Sequence, residues 1–236
     1  MLSVCMATYN GAQTVAKQLT SILNQLTPND EVLIVDDHST DQTVTLLRHL
    51  AAGSQVPVRL AVNAKNLGPI KSFAKALQQA QGELVFLADQ DDIWFADKVE
   101  QMYQAFEQQQ ADLLVHDGVV LDQAGQQIAA SWNHYHHNRL PQTVASNLVK
   151  NGYTGAMMAI SQHLLRQALP FPSKIEMHDQ WLFLVAKRYH AKIVVLRQPL
   201  MAYVRHGDNV TGMKRRSLKA QLQGRWRMWR AYRRLK

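Results

Sequence analysis

The chain has 236 residues, 47% of them hydrophobic, and a formal net charge of +8. This length and apolar content suit one substantial domain or two small ones with a hydrophobic core, and they exclude a disordered chain. Ten of the 26 basic residues and none of the 18 acidic ones lie in residues 214–236, so residues 1–213 hold 16 basic against 18 acidic residues. Because the positive charge belongs to the C-terminal segment, a uniformly basic nucleic-acid-binding domain is excluded, and we expect no nucleic-acid partner.

The ends of the chain and its single cysteine predict its compartment. Cys5 lies in an apolar run, where we expect a small buried side chain, and one cysteine cannot form an intrachain disulfide or a thiolate zinc site. No basic-then-apolar leader precedes the first predicted strand, and no run approaches the roughly 18 apolar residues of a membrane span. We therefore expect a cytoplasmic protein.

In the first 120 residues, predicted strands alternate with predicted helices. Short apolar runs typical of buried strands occupy residues 2–7, 31–36, 56–62 and 83–88. Between them, apolar residues recur every three or four positions and predict helices that begin near residues 15, 41 and 70. This alternation predicts an α/β fold, a Rossmann-like and mostly parallel sheet flanked by helices. Such sheets bind ligands at the carboxyl ends of their strands.

After residue 120 the pattern is less regular. We predict strands over 157–160 and 192–196, a helix over 179–189, and a polar-aromatic loop over 132–138. No repeat or linker divides the chain before about residue 205, so we predict one domain, residues 1–210, followed by a basic tail, residues 211–236.

Polar residues follow three of the predicted strands where each strand ends. The three segments are Thr8-Tyr9-Asn10-Gly11, Asp36-Asp37-His38-Ser39 and Asp89-Gln90-Asp91-Asp92. Three carboxylates as close as those of the last segment repel one another unless a cation lies among them, and Mg²⁺ or Mn²⁺ prefers such oxygen ligands. The alternative is a solvated acidic turn that caps the next helix. For Asp36 and Asp37 the choice lies between contacts to a nucleoside and an Asx-type turn or helix cap.

The predicted helix near residue 179 opens with His178-Asp179. Asp179 is either a general base for an acceptor hydroxyl or an acidic residue favoured there by the helix dipole.

Taken in order, these segments resemble the motifs of family 2 glycosyltransferases with the GT-A fold. Further segments that carry the resemblance are Asn66-Leu67-Gly68, Ile93-Trp94 after the three aspartates, His178-Asp179-Gln180-Trp181 and residues 203–209. The likeness covers residues 1–210, with a nucleotide-binding half of about 1–120 and an acceptor half of about 121–210. His178 stands where the family usually has Glu, so the catalytic pair carries one fewer negative charge.

The resemblance implies a donor site, a metal and a catalytic base. The residues it assigns to a nucleotide-diphospho-sugar donor are Thr8, Tyr9, Asn10, Asp36, Asp37, Asn66, Gly68, Lys71, Asp89 and Arg205. Asp91 and His206 would hold Mg²⁺ or Mn²⁺ at the diphosphate. Asp179 would take the proton of the acceptor hydroxyl, and a single displacement would invert the anomeric centre.

The resemblance also implies the substrates. Residues 203–209 are similar to a segment of rhamnosyltransferase-like members, so the expected donor is dTDP-rhamnose, with UDP-glucose or UDP-galactose as rivals and a non-catalytic nucleotide- or membrane-binding module as the alternative. The expected acceptor is a glycan or lipid-linked glycan precursor, contacted by Gly155, Trp181 and Trp132. His134, His136 and His137 match no motif; contact with a sugar, metal binding and a surface loop stay open.

The tail is predicted to be an amphipathic basic helix. Apolar residues recur every three or four positions, in the order Leu218, Leu222, Trp226, Trp229, Tyr232 and Leu235. Trp on one face and Arg on the other suits an anionic membrane surface, which would make the enzyme peripheral on the inner face of the membrane. Docking onto the body of the protein, a partner protein and non-specific nucleic-acid contact are the alternatives.

Overall fold

A computed structural model of the protein describes residues 1–205 and 217–235. Its N-terminal half alternates strands and helices as predicted. The strands are β1 (Leu2–Thr8), β2 (Glu31–Asp36), β3 (Val58–Val62) and β4 (Leu84–Ala88), and the helices between them are α1 (Val15–Leu23), α2 (Thr43–Ala52) and α3 (Pro69–Leu77). All four strands are parallel, in the order β3-β2-β1-β4.

The C-terminal half extends this sheet with strands of both directions. Its elements are β5 (Ile93–Trp94), α4 (Lys98–Gln109), β6 (Leu113–Leu121), β7 (Gln127–Ala129), α5 (Trp132–Tyr135), α6 (Val144–Val149), β8 (Met158–Ser161), α7 (Gln162–Ala168), α8 (His178–Arg188), β9 (Ile193–Val204) and α9 (Leu218–Arg233), with a 3₁₀ turn at Gly155–Met157. The strand order continues from β4 through β8, β6 and β9 to β5, and β7 pairs with β6. The segment that we predicted to be a loop, 132–138, contains α5, and β9 is longer than the predicted strand over 192–196.

Both faces of the sheet are covered, which explains the uninterrupted apolar runs of the strands. Every residue of β2 is buried, and its neighbours Leu33 and Ile34 belong to opposite core layers. One layer contains α1, α2 and α4, and the other contains α3, α7 and α8. Cys5 is fully buried, as predicted, and burial raises the pKa of its thiol. Helices on both faces leave the carboxyl-end loops of β1, β2 and β4 to form a common edge.

Helix α9 packs against the body of the protein. Met228 is buried in the layer that contains α8, and the Arg227 guanidinium lies 2.9 Å from the Glu176 carboxylate. Docking onto the body, one of the alternatives for the tail, is therefore part of its role. Among the described residues, no helix combines the length and apolar character that crossing a membrane requires.

Candidate active site

The carboxyl ends of β1 and β2 are joined through Asp36. Thr8 Oγ1 donates a hydrogen bond of 2.8 Å to Asp36 Oδ2, and Ser39 donates from its backbone N and its Oγ at 2.8 and 2.6 Å. The Asp36 side chain is fully buried and accepts all three bonds. Asp36 thus organises the loop, the turn role that the sequence left open, and a donor contact by the same carboxylate stays a prediction.

The loops after β1 and β4 are joined through Gln90. Its Oε1 accepts from the Tyr9 backbone N at 2.8 Å, and its Nε2 donates to the Tyr9 carbonyl at 3.0 Å. A Cβ on Gly11 would lie 2.3 Å from Gln90 Oε1, so only glycine leaves room for this bridge. The Tyr9 side chain is left 46% exposed, and Asn10 accepts a hydrogen bond from the Thr40 backbone N at 2.9 Å. Sequence reasoning missed Gln90, because a glutamine between two aspartates carries no signal of a cross-loop bridge.

Asp37 connects the end of β2 to the loop before α3. It accepts from Asn63 Nδ2 at 2.9 Å and from the backbone N atoms of Leu67 and Gly68 at 2.8 and 2.7 Å. Although burial acts to raise its pKa, these hydrogen bonds lower it below 3.8, so the carboxylate is ionised at neutral pH. Gly68 has a φ of +85°, which favours glycine. Asn66 and Lys71 lie exposed on either side of this anchored turn.

The acidic loop after β4 contains carboxylates with raised pKa values, and a buried lysine lies behind it. Burial and, to a smaller extent, the nearby Asp91 and Asp179 carboxylates together raise the pKa of Asp89 to about 7, against the opposing effect of Lys98. Asp92 is buried, and its pKa is raised by burial and by Asp91 and Asp89. The Lys98 Nζ lies fully buried behind this loop, 2.9 Å from the Ala156 carbonyl and 3.9 Å from the centre of a Trp94 ring. Burial and mutual repulsion disfavour the ionised form of these carboxylates. A cation bound among them would stabilise that form.

The donor set fits a divalent ion that is shared with a substrate. Among residues 1–205 and 217–235, no three His, Cys, Asp or Glu side chains cluster closely enough to hold a metal by themselves. Mg²⁺ commonly binds through one or two carboxylates and completes its shell with water and substrate phosphates. Asp91, with Asp89 beside it, matches that pattern. The second expected ligand, His206, lies outside the described residues.

Asp179 lies in the first turn of α8 and is almost completely buried. Burial raises its pKa to about 6, while hydrogen bonds from the backbone N atoms of Gln180 and Gly155 and from the Asn151 side chain act to lower it. A carboxylate with this pKa is ionised at neutral pH. Its pKa is also close enough to neutral pH for it to accept a proton, as a general base requires. Because Asp179 also raises the pKa of Asp89, the Asp179 carboxylate and the acidic loop interact electrostatically. The sequence assigned no individual role to Asn151, although it begins the segment 151–156 that resembles the family region leading to the acceptor site.

The His178 ring, next to Asp179 in the chain, is neutral at pH 7. It stacks on Phe73 with ring centres 4.3 Å apart, and burial lowers its pKa to about 4. A Cβ on Gly155 would lie 2.6 Å from His178 Nε2. We expected Gly155 to let the acceptor approach the backbone, but the space beside it is filled by His178.

Both tryptophans that we assigned to the acceptor are buried. Trp181 is 2% exposed, and its Nε1 donates to the Ala168 carbonyl at 2.9 Å within the core. Trp132 is also 2% exposed, donates from Nε1 to Thr154 Oγ1 at 2.9 Å, and lies against the Tyr203 ring at 4.0 Å. Both indoles therefore support the site from within, and the predicted acceptor contact by their side chains is corrected to a packing role.

The neighbourhood of α5 contains residues of two further expectations. Arg205 donates a hydrogen bond to the Tyr135 hydroxyl, with its guanidinium 5.5 Å from the centre of that ring, so its phosphate contact stays a prediction. His134, His136 and His137 form no metal cluster within the described part of the chain.

A comparison with protein families identifies the chain. The family model for glycosyl transferase family 2 matches residues 3–169, a span that contains the loops after β1, β2 and β4. The chain therefore belongs to glycosyl transferase family 2. Asp179 and α8 lie beyond the matched span, so their assignment depends on the geometry described above.

Two curated relatives within the family show the range of its donors. The chain is 25% identical over 219 residues to the dTDP-rhamnosyl transferase RfbG of Shigella flexneri, covering 88% of this chain and 73% of the relative. It is also 25% identical over 185 residues to the UDP-Glc:α-D-GlcNAc-diphosphoundecaprenol β-1,3-glucosyltransferase WfgD of Escherichia coli, covering 78% of this chain and 68% of the relative.

A solved structure has the same fold. A crystal structure of S. aureus TarS residues 1–349 in complex with UDP-GlcNAc matches with a TM-score of 0.73 at 21% identity, covering 94% of this chain and 64% of that one. At this identity the match shows the fold, which confirms the predicted GT-A architecture. The chain spans about two thirds of the length of these three proteins.

Proposed function

We propose that the protein is an inverting glycosyltransferase that moves a sugar from a nucleotide-diphospho-sugar to a hydroxyl group of a glycan or lipid-linked glycan. The observation that carries the proposal is the convergence of Asp179 on the acidic loop. The base lies about 90 residues along the chain from Asp89 and Asp91, yet it shifts the pKa of Asp89 directly. Family membership supports the reaction class.

The three joined loops are the proposed donor site. The hydrogen bonds of Asp36, Asp37 and Gln90 fix the loop positions before a ligand binds, so little ordering has to accompany binding. The exposed Tyr9 ring offers a face for a nucleobase, and the exposed Asn66 side chain in the turn before α3 offers a polar contact. Thr8, Asn10, Lys71 and Arg205 complete the proposed set.

Asp179 is the proposed base. Its carboxylate takes the proton from the acceptor hydroxyl while the hydroxyl oxygen attacks the anomeric carbon and the bond to the diphosphate breaks. Hydrogen bonds from Gly155 and Asn151 hold the carboxylate in place and keep it ionised. Mg²⁺ or Mn²⁺, held by Asp91 with Asp89 nearby, would neutralise negative charge on the leaving diphosphate.

We favour dTDP-rhamnose as the donor. The Shigella flexneri dTDP-rhamnosyl transferase supports this choice because the match covers 88% of this chain. The Escherichia coli relative, which takes UDP-Glc, has the same identity over a shorter span and favours a UDP-hexose as the second candidate. The diphosphoundecaprenol in its name supports a lipid-linked acceptor, and hence work at the inner face of a membrane.

A thermal-shift panel of nucleotide sugars with Mg²⁺ or Mn²⁺ tests the donor proposal. Ligand at 100 times its Kd stabilises the folded state by about 2.7 kcal/mol, a shift of several degrees for a chain of this size. We expect the largest shift with dTDP-rhamnose plus metal, and loss of the metal-dependent part in Asp91→Ala. The matched control is Asp97→Ala, at an exposed aspartate just before α4. No shift with any nucleotide sugar contradicts the proposed function. A metal-dependent shift in Asp91→Ala as large as that in the wild type contradicts the metal assignment.

A further inference from the structure

Helix α9 presents an apolar strip to solvent although it is docked on the protein. Leu218, Leu222, Trp226 and Trp229 are 78, 61, 54 and 43% exposed. With 3.6 residues per turn, these four side chains fall within an arc of roughly 80°. We call them the outer strip. The sequence predicted one stripe of six apolar residues, but Tyr232 and Leu235 turn inward and pack against the core.

The opposite side of α9 is held by specific contacts. Gly224 and Met228 are buried, and a Cβ on Gly224 would lie 3.1 Å from the Glu176 side chain. Glu176 also pairs with Arg227, and its backbone N lies 3.2 Å from the Met228 sulfur. Because these contacts set the rotation of the helix, the outer strip cannot turn into the core without breaking them.

Basic residues flank the outer strip on both sides. Helical geometry places Lys219, Arg230 and Arg234 along one edge and Arg225 along the other. Arg230 lies 5.1 Å from the Trp226 ring centre, and Arg233 lies 5.3 Å from that of Trp229. Residues 217–235 contain six basic residues and no acidic one.

We infer that the outer strip binds the surface of an anionic phospholipid bilayer. Trp and Leu side chains would enter the region between headgroups and acyl chains, and the flanking Arg and Lys side chains would meet the phosphates. A second copy of the chain is a poor occupant, because a two-fold contact through this strip would bring two sets of positive charges together. An acidic protein would satisfy the charges, but a convex row of exposed Trp and Leu lacks the concave pocket that such a partner usually fills.

The docking of α9 gives this binding a consequence for catalysis. Glu176, which contacts α9, lies three residues before Asp179, and α9 packs along α8. A bilayer bound at the outer strip would therefore lie beside the acceptor side of the site. This consequence rests on the proposed function, whereas the membrane binding itself does not.

Co-sedimentation with vesicles tests the inference. The full chain is mixed with vesicles of phosphatidylcholine containing 30% phosphatidylglycerol, or of phosphatidylcholine alone. We expect binding to the anionic vesicles, weakened about tenfold or more by Trp226→Ser/Trp229→Ser and about fivefold or more by Arg230→Glu. Two matched controls, Tyr189→Ser and Arg48→Glu, change an exposed aromatic residue and an exposed base outside α9, and both should bind like the wild type. All five proteins are first compared by thermal unfolding, so that a loss of binding is assigned only to folded variants.

Several outcomes would overturn the inference. These are absence of binding to anionic vesicles, equal binding by the Trp226→Ser/Trp229→Ser variant, and equal weakening by Arg48→Glu. A wild-type dimer that the tryptophan double variant converts to monomer assigns the strip to a second copy instead. Nucleotide-sugar binding, measured by thermal shift in the same variants, should stay unchanged. Its absence in every protein would count against the proposed function and leave the membrane result standing.

Discussion

Adding one methyl group at Gly155 should measurably strain the 3₁₀ turn that packs against His178. The Cβ of Gly155→Ala would lie 2.6 Å from His178 Nε2, so the ring would have to retreat by about 0.8 Å to reach an ordinary contact of 3.4 Å. His178 cannot retreat freely, because it is stacked on the buried ring of Phe73. Overpacking of this kind costs about 1–3 kcal/mol, which lowers the Tm of a chain of this size by about 2–12 °C.

A double-mutant cycle in urea unfolding separates this clash from other effects of the alanine. We measure the free energy of unfolding of the wild type, Gly155→Ala, His178→Ala and the double variant. Removing the ring should abolish most of the cost of Gly155→Ala, giving a coupling energy of about 1–3 kcal/mol. Turnover should also fall in Gly155→Ala, because the Gly155 N–H that holds Asp179 would shift. Strictly additive effects in the cycle would refute the proposed packing of His178 against Gly155.

Two further predictions concern the carboxylates. The pKa of Asp179 rises from 3.8 to about 6 on folding, so the folded state binds more protons in that window and loses stability as pH rises through it. Relative to the wild type, Asp179→Asn should therefore become more stable from pH 4 to pH 7, by up to about 3 kcal/mol in thermal unfolding. If the stability difference between the two proteins were the same at both pH values, the raised pKa of Asp179 would be contradicted. Asp37→Ala removes the acceptor of the Leu67 and Gly68 N–H groups, so we expect about 2 kcal/mol less stability in urea unfolding and weaker donor binding by calorimetry. If Asp37→Ala kept the wild-type stability and the wild-type donor affinity, the turn would not depend on this carboxylate.

The parallel half of the sheet could be predicted because its signals are local. Buried strands such as 31–36 are uninterrupted apolar runs, and the loops that follow them carry the polar residues of the proposed donor site. The topology of parallel strands then brings those loops to one edge. The hydrogen bond between Thr8 and Asp36 is a direct result of that register.

The errors came where a side chain's direction depends on distant packing. Trp181 follows the catalytic pair in sequence, but in a helix the residue two positions after Asp179 faces a different side, and here it faces the core. For Lys98 we made no prediction from the sequence, and it is fully buried behind the acidic loop. In α9, six apolar residues fit one helical period, but contacts with Glu176 and the core decide which of them are buried.

Turnover by Asp179→Asn tests the central claim most directly. Release of the nucleoside diphosphate is followed with dTDP-rhamnose and UDP-sugars, Mg²⁺ or Mn²⁺, and a lipid-linked glycan acceptor, while donor affinity is measured in parallel by calorimetry. We expect donor binding close to that of the wild type and a kcat lower by about 10²–10⁴-fold, since only the proton acceptor is lost. Wild-type turnover in Asp179→Asn would contradict the assignment of Asp179 as the base.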